Sequence, residues 1–136
     1  MRKEIGIWLR RNEAQIAPAW IKSVRSRGGD RDRRLTTEEL ERQFFTDFYG
    51  ALVEAVEGDS LSRISEVVER IAATRVEEEY QLGETLEILS LLKEQIWDLV
   101  RETHGPEESL NWLGMLEPTF DACLQLMGQA FTRVSR

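Results

Sequence analysis

The side chains best suited to chemistry in this chain are the adjacent glutamates Glu77, Glu78 and Glu79, a single histidine, His104, and a single cysteine, Cys123. Clustered carboxylates can hold metals or move protons, and a Cys–His or Ser–His pair can carry nucleophilic catalysis. The spacing argues against each. Three consecutive helical residues fan out by about 100° apiece, so the glutamates cannot converge on one ion. A di-metal helical site would need inward carboxylates with Glu-x-x-His pairs, and the residue three before His104 is Arg101. Nothing sets a base, a nucleophile and an orienting group together. Gly28-Gly29 lacks the Lys-Ser/Thr and the preceding strand of a phosphate loop. Cys123 lies in an apolar register and reads as a small buried hydrophobe. Haem ligation would need a histidine projecting into an apolar pocket, whereas His104, beside Gly105-Pro106, belongs at a helix end. The expectation is no catalytic residue, no metal and no cofactor.

Charge points the same way. A net charge of −7 disfavours direct binding to nucleic acid. It is unevenly placed, since Lys22–Arg34 (KSVRSRGGDRDRR) holds six basic and two acidic residues. This stretch reads as a solvated loop between helices, with Arg25, Arg27, Arg31, Arg33 and Arg34 as a candidate docking surface for an acidic partner. No apolar run approaches the roughly 18–20 residues that span a bilayer, and the N-terminus lacks a signal-peptide core. A cytoplasmic, membrane-free protein is expected.

The elements that would position these residues are helical throughout. A first segment, about residues 3–26, places Ile5, Trp8, Ile16, Trp20 and Val24 on a stripe broken at Asn12. Pro18 should kink or split it. Thr36 and Glu39 can form a capping box for a second helix, in which Leu40, Phe44, Phe48 and Leu52 repeat every four residues beside Phe45, Tyr49, Val53 and Val56. Asp59 or Ser60 can cap a third helix with the stripe Leu61, Ile64, Val67, Val68 and Ile71. A fourth carries Leu82, Leu86, Leu89, Leu92, Ile96 and Leu99. Ile88, Leu91, Trp97 and Val100 widen its face enough to suggest burial on two sides, one of them a homodimer interface. A fifth runs from about Pro106 or Ser109 onward, bent at Pro118, with Leu110, Leu113, Leu116, Phe120, Cys123, Leu124, Met127, Phe131 and Val134 buried. The fold expected is an all-α, single-domain bundle of about five helices with globin-like packing. The last helix has no C-terminal cap in QAFTRVSR, which suggests that a domain or partner follows.

Arg75, a turn residue and an aromatic at Glu79-Tyr80, Leu82-x-Glu84-x-Leu86 and Leu92-x-x-x-Ile96 together resemble the hallmark of the RsbR/RsbRD N-terminal (RsbT co-antagonist-like) sensory domain family. Trp20 and the block LTTEELERQFFTDFYGALVEAV fit as well, so the resemblance spans about Ile7 to Phe131. It implies a haem-free, globin-like, typically dimeric input domain that precedes a STAS, histidine-kinase or transcription-regulator output domain. It brings no catalytic set; Arg75, Tyr80, Leu82, Glu84 and Leu86 carry over as hallmark positions only. The family often has glycine in place of Glu79, a polar aromatic in place of Leu89 and histidine in place of Ile71.

The residues themselves add a route for a signal. A ligand or partner held among Phe44, Phe48, Trp97 and Trp112 would favour one packing of a dimer, and the last helix, through Phe120 and Phe131, would pass the change to a downstream signalling protein. Two alternatives stand beside this reading. One is a helical adaptor or anti-sigma-type module that senses nothing and binds a protein through the basic 22–34 stretch or the acidic 54–87 surface. The other is a haem- or small-molecule-binding globin-like sensor.

Overall fold

The structure, a computed structural model, describes residues 1–58 and 60–135. The described residues are helical without strands: α1 (Arg2–Arg11), α2 (Glu13–Arg27), α3 (Asp30–Arg34), α4 (Thr37–Leu40), a π-helical turn (Glu41–Phe45), α5 (Thr46–Gly58), α6 (Ser62–Glu77), α7 (Leu82–Thr103) and α8 (Pro106–Val134). The all-α expectation holds, and α4, the π turn and α5 form the expected second segment.

The first segment divides at Asn12 and not at Pro18, which lies inside α2. Asn12 turns its backbone N–H and its side-chain amide onto the Trp8 carbonyl at 3.0 and 2.8 Å, satisfying the end of α1. Its own carbonyl then accepts from Ile16 to start α2. Pro18 forfeits only the bond to the carbonyl of Ala14, a residue exposed to water.

The Thr36–Glu39 capping box forms as expected, with Thr36 Oγ1 accepting from Glu39 N–H at 3.1 Å and Glu39 Oε1 accepting from Thr36 N–H at 2.9 Å. Residues spaced by four drift about 40° per step around an α-helix. The wider π turn sets that drift back, so Phe44, Phe45, Phe48 and Tyr49 all point inward and are at most 2% exposed. Trp20 of α2 stacks on Phe44, and Phe44 on Phe48, at 5.5 and 5.3 Å between ring centres. The Trp20 indole donates to the Ile88 carbonyl at 2.9 Å, fastening α2 to α7. The Tyr49 hydroxyl donates at 2.6 Å to the carbonyl of Leu9, in the last turn of α1, where acceptors lack helical partners. Burial holds the Tyr49 phenol above its ordinary range.

The broad stripe of α7 is covered within the chain, with α2 on one side and α8 on the other. Ile88, Leu89, Leu92, Ile96 and Val100 are fully buried between them. The width of this stripe is therefore explained by a central helix, which removes the reason for assigning it to a subunit interface.

Two stripe positions fall outside the core. Leu61 is 41% exposed and stands at the N-cap of α6. Leu110 is 74% exposed because it lies about 120° around α8 from Leu116, whereas Ser109, seven residues before Leu116, shares its face and is buried. Of the proposed caps for α6, Asp59 lies outside the described residues, and Ser60 Oγ accepts from Ser62 N–H at a long 3.4 Å. Pro118 stays within α8.

Candidate functional site at the junction of α6 and α7

The expected loop at 22–34 is mostly helix, and within it Val24 and Asp32 are buried. Residues 22–27 complete α2, and Gly28 closes it by donating to the Val24 carbonyl at 2.8 Å. Only glycine fits there, since a Cβ at residue 28 would lie 2.6 Å from that oxygen. The chain then re-enters a helix as α3. Of its five residues, all charged, Asp32 turns inward and is fully buried.

Asp32 meets Arg75, which is 6% exposed, in a two-pronged pair: Nη2 to Oδ1 at 2.7 Å and Nη1 to Oδ2 at 3.2 Å. Arg75 Nη1 also donates to Thr85 Oγ1 at 3.3 Å, and Thr85 is fully buried on α7. The guanidinium lies over the Tyr80 ring at 4.2 Å, and Arg31 from α3 lies 3.9 Å from the same ring centre. Tyr80 thus sits between two cations, with burial and the Asp32 carboxylate raising its phenol above the ordinary range. Planar guanidinium groups suit both contacts, the forked pair with a carboxylate and the stack on an aromatic face.

Local backbone chemistry places these groups. α6 ends in a Schellman turn: Tyr80 N–H donates to the Arg75 carbonyl at 2.8 Å and Glu79 N–H to that of Val76 at 3.0 Å. That turn requires a left-handed residue, and Glu79 supplies it at φ 65°. Glycine, which the resemblance leads one to expect here, would take that angle without a Cβ penalty. The side-chain contact that usually accompanies such a turn is made by Arg75 and Tyr80. Glu84 then accepts from Gln81 N–H at 2.9 Å and opens α7, while Leu82 and Leu86 pack partly buried against the core. The hallmark residues therefore build one helix–turn–helix joint, and α3 is bolted onto it.

The remaining candidates lie in separate places. Phe44 and Phe48 are packed in the Trp20 stack. Trp97 meets Phe120 edge-on at 5.3 Å, and Phe131 is buried on α8. Trp112 lies against His104 at 4.2 Å and Trp8 at 5.5 Å. Phe44, Phe48, Trp97 and Trp112 thus belong to three packed groups and not to one cavity. His104 is held at the end of α7, its Nδ1 3.1 Å from the Val100 carbonyl. Of the loop arginines, Arg25 donates to the carbonyls of Arg33 and Leu35, Arg27 pairs with Glu94 at 2.8 Å, and Arg34 donates to the Asp30 carbonyl. Arg33 donates to the Arg25 carbonyl at 3.1 Å. Burial pushes the Cys123 thiol up to about 12, away from nucleophilic use. Among the described residues no three histidine, cysteine or acidic side chains gather to hold a metal, and no helix is long and apolar enough to cross a membrane.

Asp32 and Thr85 were not among the candidates from sequence. Thr85 was readable as a polar residue on the Leu89, Leu92, Ile96 register. Asp32 sits in an alternating Asp-Arg run that carries no signal of burial.

Residues 14–135 match the profile of the RsbT co-antagonist protein rsbRD N-terminal domain. No curated protein and no solved structure matches the chain.

Proposed function

Because the chain belongs to the RsbT co-antagonist protein rsbRD N-terminal domain family, a family of regulatory sensory domains, we propose that it is a non-enzymatic, cytoplasmic signal-input domain. It works as a homodimer and passes a change of packing through α8 to a downstream output domain of the STAS, histidine-kinase or transcription-regulator kind. The family match over residues 14–135 carries this reading. The position of α8 supports it: this helix of 29 residues packs against α5, α6 and α7, so repacking in any of them reaches it. A ligand acts here only by differing in affinity between two packings.

The test is an output assay on a full-length protein carrying Phe131→Ala. Phe131 is 6% exposed near the end of α8, so the domain retains most of its core. A changed output from a folded, dimeric variant supports the route. Unchanged output from such a variant refutes it, and a monomer by sedimentation refutes the dimer. An adaptor that senses nothing is the second reading, favoured by the exposed Arg33 and Arg34 beside Arg25. It predicts partner binding that charge reversal at Arg33 and Arg34 abolishes, with no response to any ligand.

A further inference from the structure

α3 is held without a core of its own. All five of its residues are charged, so no apolar side chain within it drives docking. Its buried anchor is Asp32. On one side lies Gly28-Gly29; on the other, Arg25 grips the carbonyls of Arg33 and Leu35, and Leu35 packs partly buried on the core. An element with so little apolar burial belongs to the least stable part of a fold, the part that opens locally.

Viewed from the other partner, Arg75 and Thr85 form a receptor for a carboxylate. The guanidinium presents two parallel donors, occupied at 2.7 and 3.2 Å, and the Thr85 hydroxyl stands 3.3 Å from one of them. The Tyr80 ring forms a wall. All three belong to the joint of α6 and α7 and not to α3.

We propose that Arg75 and Thr85 form a binding site for a small organic acid, occupied in this structure by the Asp32 carboxylate, which gives way when α3 swings outward at Gly28-Gly29. The forked guanidinium, with the Thr85 hydroxyl beside it, recognises a carboxylate head, which a free acid can present as Asp32 does. No covalent step is involved: one carboxylate replaces another on one guanidinium. The tethered Asp32 competes at high effective concentration, and the ligand binds only the open fraction, so its apparent affinity for the native chain is low. The inference names the recognition chemistry of the input reading above. Its test reads binding alone, so its failure is separable from failure of signal output.

Formate and acetate are the probes, with chloride at matched ionic strength as control. In Asp32→Ala, both carboxylates raise the melting temperature saturably and chloride does not. Their affinity for the variant exceeds that for the native chain by at least about tenfold, since the competitor is gone. The response vanishes in Asp32→Ala/Arg75→Met. A folded Asp32→Ala that ignores carboxylates overturns the proposal. Where Asp32→Ala is unfolded with and without formate, hydrogen exchange on the native chain decides. The Arg33 and Leu35 amides, bonded to Gly29 and Asp32, exchange faster than those of α7 and faster still in acetate. Exchange of α3 only at the rate of α7 overturns the proposal, as does acceleration by a glutamate-rich peptide but not by acetate.

Discussion

The pair formed by Asp32 and Arg75 supports a quantitative prediction. Arg75→Met keeps the length of the stem and deletes the charge, leaving a fully buried Asp32 carboxylate with no guanidinium. Removing one partner of a buried pair typically costs about 3–5 kcal/mol, most of it the burden of the stranded charge. The lost stack on Tyr80 adds about 0.5–2 kcal/mol. Against a total stability of about 5–15 kcal/mol for a domain, this is a large share. For a chain of 136 residues it corresponds to a melting temperature lower by roughly 10–20 °C. The double variant Arg75→Met/Asp32→Leu strands no charge, and replacing a buried pair with apolar groups is often neutral or stabilising by about 1–4 kcal/mol. Urea unfolding of the native chain, both single variants and the double therefore gives a coupling energy of about 3 kcal/mol or more. A single variant within about 1 kcal/mol of the native chain, or a double as unstable as Arg75→Met, would refute the assignment of this pair as buried and forked.

Glu79→Gly relieves a left-handed residue at φ 65° and should stabilise by about 0.5–1 kcal/mol after the greater freedom of unfolded glycine is subtracted; equal or lower urea midpoints would count against the turn. Cys123, its thiol pushed up to about 12 by burial, should resist a disulfide reagent at pH 8 in the native chain and react at once in denaturant. The Thr36 N–H holds the Glu39 carboxyl below the usual glutamate range, so the cap's contribution is present above the unfolded pKa and lost as pH falls through the lowered folded value. The stability difference between the native chain and Glu39→Gln should therefore shrink on acidification below the ordinary glutamate range, and a difference that grows instead would remove the cap from the account.

The all-α fold, the second-segment stripe with its capping box, the long α7 and the family hallmark were all legible in the sequence. The hallmark was legible through resemblance, whereas the other three depend on local periodicity or on partners three to five residues apart, and a helix writes those into the chain. The break at Asn12 was visible as a gap in a stripe, yet Pro18 drew the expectation away from it. Backbone dihedral rules identify where a helix is strained, not where water can absorb the lost bond.

Tertiary structure alone decided the rest. Arg75 and Asp32 are 43 residues apart, and no local pattern distinguishes this aspartate from the solvated Asp30 two positions earlier. Burial of a charge is fixed by which opposite charge the folded chain brings to it, so the roles of α3 and of the α6–α7 joint emerge only in three dimensions. Likewise a wide apolar face declares that it will be covered, while only packing reveals that α2 and α8 of the same chain cover α7.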